Sequence, residues 1–295
     1  MELLIFSDLH IHNYKAFNEN GDRLDNCLRV LMEMFETAAA QGISHILFVG
    51  DLYDQQQAIP PIVINNTIEV FKALFDEYPE ILFIAITGNH DQSTKNLKDA
   101  PAVSSIQHLD TIFENFKVID NSYMVLEDLI TVYGIPYYSH QEHFQQAIPG
   151  PGMHDAILLI HQTPRHSNEM IPYECTAEQF SEFDYVFCGH IHKYERLADN
   201  FEIVGSPLHR DLGDEGQDKG YLIYNTDTKT TQRVLLDYPK FERPVVEFTE
   251  QDTEVDRLTE DSFARASHKE DLIKEYAETI GLEVEILNAG LKVLS

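Results

Sequence analysis

Cysteine is scarce in this chain of 295 residues. The three cysteines, Cys27, Cys175 and Cys188, are odd in number, and no two of them form a Cys-x-x-Cys pair. We therefore expect neither a disulfide framework nor a zinc site built from thiolates. Buried structural thiols are the expected role of all three.

Basic residues are also few. The chain has 21 Lys and Arg against 50 Asp and Glu, which gives a formal net charge of -29. This balance argues against a broad basic face for nucleic acid, because duplex binding depends on neutralising phosphates. It does not exclude a phosphate-bearing substrate, since two bound divalent cations would reverse the sign of the local charge.

Long apolar runs and repeats are missing as well. No run approaches the ~20 residues that a membrane-spanning helix needs. The first six residues are too short and too acidic for a signal peptide, and no internal period is visible. We expect a soluble protein of the cytoplasm, or of the host cytoplasm if the source is a virus, with no membrane partner.

The sequence does contain short apolar runs that end in polar side chains, and hydrophobic residues make up 43% of the chain, enough for a full core. Helical periodicity over residues 22–41 separates the first two runs, and a helix that opens at the Pro60-Pro61 pair and continues to about Tyr78 separates the second run from the third. This alternation predicts a parallel sheet with helices on its faces, and ligands gather at the carboxyl ends of such strands. The strand-end residues are Asp8 and His10, Asp51, Asn89, His161, and His190 and His192.

Those seven side chains comprise two carboxylates, one amide oxygen and four imidazoles. They are too many for one tetrahedral zinc ion, and a calcium site would use oxygens only. The mixture suits a pair of Mn, Fe or Zn ions, which Asp51 could bridge from a central strand. A dinuclear centre of this kind binds a phosphoryl group and activates water for its hydrolysis.

Four further residues are candidates for the reaction itself. His90 follows Asn89 and could protonate a leaving alkoxide, and Asp54 is spaced to orient that imidazole and hold its protonated form. His209 and Arg210 lie just past Gly205-Ser206-Pro207 and are candidate substrate contacts, because an arginine there could grip a phosphate.

Two later regions complete the predicted architecture. Residues 220–225 and 231–236 predict a hairpin. The composition changes near residue 242, where a strand at 245–248 and an acidic helix at about 259–280 predict a small α/β appendage. We therefore divide the chain into a main domain, 1–242, and a capping-like appendage, 243–295.

Five blocks together resemble the calcineurin-like metallophosphoesterase superfamily, over roughly the first 240 residues. They are Asp8-x-His10, Gly50-Asp51-x-x-Asp54, Gly88-Asn89-His90-Asp91, His161 and Gly189-His190-x-His192. The resemblance implies a four-layer α/β/β/α sandwich. It also implies one metal on Asp8, His10 and His192 and another on Asn89, His161 and His190, with Asp51 shared.

Within that superfamily, three segments resemble the nuclease subunit of the bacterial SbcCD complex and its phage and archaeal counterparts. They are Gly205-Ser206-Pro207, Gly213-Asp214-Glu215 and Lys219-Gly220-Tyr221. The resemblance implies a DNA exonuclease or endonuclease of repair and recombination that uses two divalent ions, of Mn type with Fe, Zn or Mg as alternatives. It also implies an SbcC-like coiled-coil ATPase as partner and leaves a homodimer open.

Two other functions stay open. An enzyme of the same fold could hydrolyse a small phosphodiester, a cyclic nucleotide or a phosphoprotein, and the acidic composition favours that alternative. A scaffold of this fold could bind a partner without catalysis, but the retained His90 and the complete set of seven ligands weigh against it.

Overall fold

Two six-stranded sheets form the centre of the fold in the part of the chain that the structure describes. The structure is a computed structural model, and it describes residues 1–14, 23–56, 58–93, 104–127, 129–149, 155–168 and 172–243. The predicted appendage lies outside these residues apart from Arg243, so it stays a prediction.

The strands, in chain order, are β1 (Glu2–Phe6), β2 (His45–Phe48), β3 (Leu82–Ala85), β4 (Phe116–Val118), β5 (Ser122–Leu126), β6 (Ile130–Ile135), β7 (Ala156–His161), β8 (Tyr185–Gly189), β9 (Glu195–Ala198), β10 (Phe201–Ile203), β11 (Gly220–Asn225) and β12 (Thr230–Leu235). The helices are α1 (Arg23–Gln41), α2 (Pro61–Glu77), α3 (Gln107–Ile112) and α4 (Gln141–Ala147).

Both sheets are mixed. The first has the order β12-β11-β1-β2-β3-β4 and the second the order β5-β6-β7-β8-β10-β9. Strands β1 to β4 are parallel, as the alternation of strands and helices predicts. The hairpin of β11 and β12 is also confirmed, and it joins the first sheet antiparallel to β1.

Side chains that alternate along each strand build the four layers. In β1, Leu3 and Ile5 point into a core shared with the second sheet, whereas Leu4 and Phe6 point into a core under the helices. A third core lies on the far face of the second sheet, where α4 contributes Phe144. The order of layers is helices, sheet, sheet, helices, which confirms the predicted α/β sandwich.

The helix layer over the first sheet is fixed by amphipathic periodicity. In α1 the buried residues Leu24, Leu28, Leu31 and Phe35 recur at helical spacing. The ring of Phe35 stacks on that of Phe83, with 6.0 Å between centroids. Helix α2 begins at Pro61, whose ring presets the first helical φ. Within the described residues, none of the helices combines the length and apolar character that crossing a membrane requires.

The parallel register brings the strand ends together. Phe6 pairs with Phe48, and Phe48 with Ala85, so the loops after β1, β2 and β3 leave the first sheet side by side. In the second sheet His161 at the end of β7 pairs with Gly189 at the end of β8. The candidate site lies where these two sets of loops meet.

Candidate metal centre

The loops after β1 and β8 bring Asp8, His10 and His192 into one group. His10 Nε2 lies 3.1 Å from His192 Nε2 and 3.8 Å from Asp8 Oδ1. His192 Nε2 lies 3.9 Å from the same Asp8 oxygen. Three potential ligand atoms therefore face one point.

A second group forms from the loops after β2, β3, β7 and β8. Asn89 Oδ1 lies 2.8 Å from His190 Nδ1 and 3.1 Å from His161 Nε2. Asp51 Oδ2 lies 3.3 Å from His161 Nε2. The same Asp51 oxygen lies 3.6 Å from His10 Nε2, so this carboxylate connects the two groups.

The donor types suit divalent ions in both groups, and the spacing fits one ion directly in the second group, whereas Asp8 lies 3.8 and 3.9 Å from the two imidazoles of the first group. Ligand atoms at about 2.1 Å from one ion lie about 3.0–3.4 Å apart, and the separations within the second group are 2.8, 3.1 and 3.3 Å. On the other side of its ring, His161 Nδ1 donates to the Val49 carbonyl at 2.7 Å, which directs Nε2 into the group.

Four of the seven residues hold left-handed backbone conformations. The φ angles are 53° at Asp8, 48° at His10, 60° at Asp51 and 82° at His190. Such angles are unfavourable for residues with a Cβ and persist where the surroundings enforce them, often at functional sites. They turn the chain sharply at the strand ends.

Asp91 enforces the turn at Asp51. Its fully buried carboxylate accepts the backbone N–H of Asp51 at 2.8 Å and those of Gly88 and Tyr53 at 3.1 Å each. Asp91 belongs to the Gly88-Asn89-His90-Asp91 motif, but sequence reasoning did not predict this role for it. The signal that could have identified it is an acidic residue at the end of a buried strand, because a buried carboxylate needs several hydrogen-bond donors around it.

Gly189 allows the two sheets to approach at the site. A Cβ built at this position would lie 2.2 Å from the Val49 carbonyl oxygen and 2.7 Å from His161 Nδ1. Only a residue without a side chain lets the His190 loop pass this close to the loop after β2.

Comparison with known proteins identifies the family of this chain. The sequence profile of the calcineurin-like phosphoesterase family covers residues 1–194. The chain belongs to the calcineurin-like phosphoesterase family. Members of this family are metal-dependent phosphoesterases. In the described residues, three overlapping clusters of Asp and His side chains could hold a metal ion: Asp8, His10 and His192; His10, Asp51 and His90; and Asp51, His161 and His190.

Two relatives extend the comparison. The phosphoesterase is 25% identical over 249 residues to the uncharacterised protein R555 of Acanthamoeba polyphaga mimivirus, covering 77% of this chain but 17% of that protein. It is 23% identical over 238 residues to exonuclease subunit 1 of Enterobacteria phage T4, covering 79% of this chain and 67% of the phage protein.

Solved structures resemble it more distantly. TT1561 of Thermus thermophilus superposes with a TM-score of 0.49 at 13% identity, covering 79% of this chain and 98% of that one. The Pseudomonas putida nuclease MPE superposes with a TM-score of 0.31 at 14% identity, covering 68% and 66%.

Burial and charge set the protonation of the candidate ligands. Burial opposes the charged forms of Asp51 and His161, but their mutual attraction outweighs it. The pKa of His161 is raised to about 9, and the pKa of Asp51 falls far below its usual range. Burial and the nearby charge of His161 lower the pKa of His190 to about 3. His190 is therefore neutral at pH 7, with a lone pair available.

His90 lies beside the first group. Its backbone N–H donates to Asp51 Oδ1 at 2.7 Å, and its ring centroid is 4.8 Å from that of His10. One ring nitrogen falls in a cluster with His10 and Asp51, so His90 lies within reach of the same region as the ligands.

Asp54 contacts His90 differently from the sequence expectation. The main-chain carbonyl of Asp54, and not its carboxylate, faces His90 Nδ1 at 2.6 Å. The carboxylate accepts the Tyr14 hydroxyl and lies 3.5 Å from His10 Nδ1. Parallel pairing of Ile11 with Tyr53 places Asp54 alongside the β1 loop, and this directs its side chain there.

An open cleft of about 490 Å³ borders both groups. Arg210 lines it, and its Nη2 lies 3.0 Å from Asp54 Oδ1. His166 and Lys193 add further donors on the cleft wall. The arrangement can receive an anionic group beside the candidate ligands.

His209 is not brought to the cleft. Its side chain is buried, its Nε2 lies 2.8 Å from the Gln217 carbonyl, and its Nδ1 accepts the backbone N–H of Phe241 at 3.2 Å. Both ring nitrogens are thus engaged within the fold. The neighbouring Arg210 does line the cleft, and its contact with substrate stays a prediction.

Proposed function

We propose that this protein is a dinuclear, Mn-type phosphodiesterase that hydrolyses DNA, as the nuclease subunit of a repair or recombination complex in the cytoplasm. The observation that carries the proposal is the position of Asp51. Its Oδ2 lies 3.3 Å from His161 Nε2 and 3.6 Å from His10 Nε2, between the two groups of candidate ligands.

Each set would hold one ion. Asp8, His10 and His192 would bind the first, Asn89, His161 and His190 the second, and Asp51 would bind both. When bound, the ions supply charge that stabilises a phosphoryl group and lowers the pKa of water.

The protein's own side chains would perform the remaining tasks. His90 is anchored by Asp51 through its backbone and by the Asp54 carbonyl through its ring, so it is oriented to give a proton to the departing sugar oxygen. Arg210 would exchange its ion pair with Asp54 for a bidentate contact to a phosphate oxygen pair.

DNA as the substrate is supported by the similarity to a phage protein named exonuclease subunit 1. The cations Arg210 and Lys193 line the cleft beside the carboxylates of Asp51, Asp211 and Asp214. Two bound divalent ions would therefore make this region locally positive, which suits a backbone phosphate. An SbcC-like coiled-coil ATPase is the proposed partner, and the active assembly could contain two copies of this chain.

The test is a comparison of substrates in the presence of Mn²⁺. Labelled single-stranded and double-stranded DNA, bis-nitrophenyl phosphate and a phosphopeptide are incubated with the protein, with and without a co-encoded coiled-coil ATPase. The proposal expects cleavage of DNA, and a His90→Ala protein is the matched control. Cleavage of the small diester with DNA intact in both conditions would contradict it.

The second candidate is a phosphoesterase of small diesters, cyclic nucleotides or phosphoproteins. The formal charge of -29 favours it, because long-range repulsion slows the approach of a polyanion more than that of a single phosphate. The dependence of the cleavage rate on salt concentration distinguishes the two candidate functions. Added salt screens the repulsion, so a rate of DNA cleavage that rises with salt toward the rate for the small diester supports the nuclease.

A further inference from the structure

A buried ion pair outside the ligand set connects the two sides of the cleft. Lys219 Nζ lies 2.7 Å from Asp214 Oδ1, and the side chains are 4% and 6% exposed. Neither residue is a candidate ligand or reacting group. The desolvation of such a pair is unfavourable unless further hydrogen bonds complete it.

The further hydrogen bonds lead to the site. Lys219 Nζ donates to the main-chain carbonyl of His192 at 2.9 Å and to Gln217 Oε1 at 3.0 Å. Asp214 Oδ2 accepts the backbone N–H of Arg210 at 2.7 Å. One end of the pair therefore holds a candidate ligand, and the other holds the cleft arginine.

Lys219 and His192 belong to segments that leave different sheets. Lys219 directly precedes β11, which pairs with β1 in the first sheet, and β1 delivers Asp8 and His10. His192 follows β8 in the second sheet. The contact from Lys219 to His192 thus connects the start of a strand in the first sheet with a loop of the second sheet.

The loop from Gly205 supports the same carbonyl. The backbone N–H of Ser206 donates to His192 O at 3.0 Å. A Cβ at Gly205 would lie 3.0 Å from that oxygen, and the φ of Gly205 is 75°. The His192 carbonyl is therefore held from two directions, and among the described residues the contact from the side of the first sheet is that of Lys219.

We infer that Lys219 and Asp214 are positioning residues, which hold His192 in the first ligand group and Arg210 at the cleft. This inference rests on the proposed dinuclear site and deepens it. Loss of Lys219 should release His192, and so weaken one ion while the group around Asn89 and His161 keeps the other.

The experiment measures Mn²⁺ bound to the full-length chain by equilibrium dialysis and elemental analysis, without any nucleic acid. Lys219→Met removes the contact to His192 but leaves Asp214 buried and unpaired. The double variant Lys219→Met/Asp214→Leu removes both charges, which is often nearly neutral for stability. Glu202→Gln is the control, because Glu202 is a buried carboxylate whose hydrogen bonds go to Tyr185 and Thr231.

The wild type should bind two ions. The single and double variants should each bind one of the two ions about 10- to 100-fold more weakly. Loss of a residue that supports a metal ligand typically lowers metal affinity by that factor. Glu202→Gln should bind two ions whatever its melting temperature. If Lys219→Met does not fold, the number of ions bound by the double variant tests the inference.

Two ions bound with wild-type affinity by the double variant would overturn the positioning role while leaving the proposed function intact. Equal weakening of both ions, matched by Glu202→Gln, would also overturn it, since that result reflects general destabilisation. A wild-type chain that binds no Mn²⁺ would instead refute the dinuclear site itself.

Discussion

Asp51 Oδ1 accepts the backbone N–H of His90 at 2.7 Å, while its other oxygen faces His161 and His10. The residue proposed to share two ions therefore also fixes the main chain of the residue proposed to donate the proton. The relationship makes the position of His90 depend on the same carboxylate that gathers the ligands.

Replacing Asp51 should abolish the binding of ions. Asp51→Ala removes the carboxylate oxygen that faces both groups, so each ion loses a ligand. Elemental analysis after loading with Mn²⁺ should find less than one ion per chain. Asp76→Ala on the exposed face of α2 is the control and should bind two ions. Two ions in Asp51→Ala would remove Asp51 from the centre.

Replacing His90 should separate catalysis from metal binding. His90→Ala should keep both ions and lower kcat on a phosphodiester about 10²–10⁴-fold, the usual effect of losing a general acid. His140→Ala, which alters an exposed histidine before α4, should leave the rate unchanged. An unchanged rate in His90→Ala would exclude proton donation. Loss of an ion would instead make His90 a ligand, which its proximity to His10 and Asp51 allows.

Binding of Mn²⁺ should depend on pH through His161. In the metal-free protein its pKa is about 9, so His161 is protonated at pH 7 and must release that proton to become a ligand. Affinity for one ion should therefore rise with pH, by about tenfold per unit between pH 6.5 and 8.5. Calorimetry in buffers with different heats of ionisation should detect about one proton released. A flat profile with no proton release would contradict the assignment of His161.

Gly189→Ala should destabilise the fold. The new methyl group would meet the Val49 carbonyl oxygen at 2.2 Å, and backbone atoms of two sheets cannot move apart freely. We expect a loss of about 3 kcal/mol in the free energy of unfolding, the upper part of the range for overpacking. Gly213→Ala is the matched control, because its nearest atom is the exposed Asp211 side chain at 2.8 Å. Equal melting temperatures for the two variants would refute the close approach.

Much of the fold follows from local patterns. The runs before Asp8, Asp51 and His161 are apolar because both faces of their strands are covered, and this made the strand ends visible in the sequence. The helical period of α1 was equally clear, and α2 was marked by Pro61. The convergence of the strand-end ligands then follows from parallel pairing.

Other features depend on contacts between distant segments. The alternation of strands and helices does not specify that β11 pairs antiparallel with β1, and that pairing brings Lys219 to His192. The contact of His90 with the Asp54 carbonyl depends on the path of the backbone, and residue spacing suggested the carboxylate instead. The engagement of His209 within the fold likewise arises from Phe241, a residue 32 positions away.

The most direct measurement is anomalous X-ray diffraction from crystals of the protein loaded with Mn²⁺. The account predicts two manganese peaks about 3.5–4 Å apart, with one Asp51 oxygen or both between them. His10 and His192 should contact one peak, and His161 and His190 the other. A single peak, or two peaks that Asp51 does not touch, would contradict the claim that this carboxylate joins two metal sites.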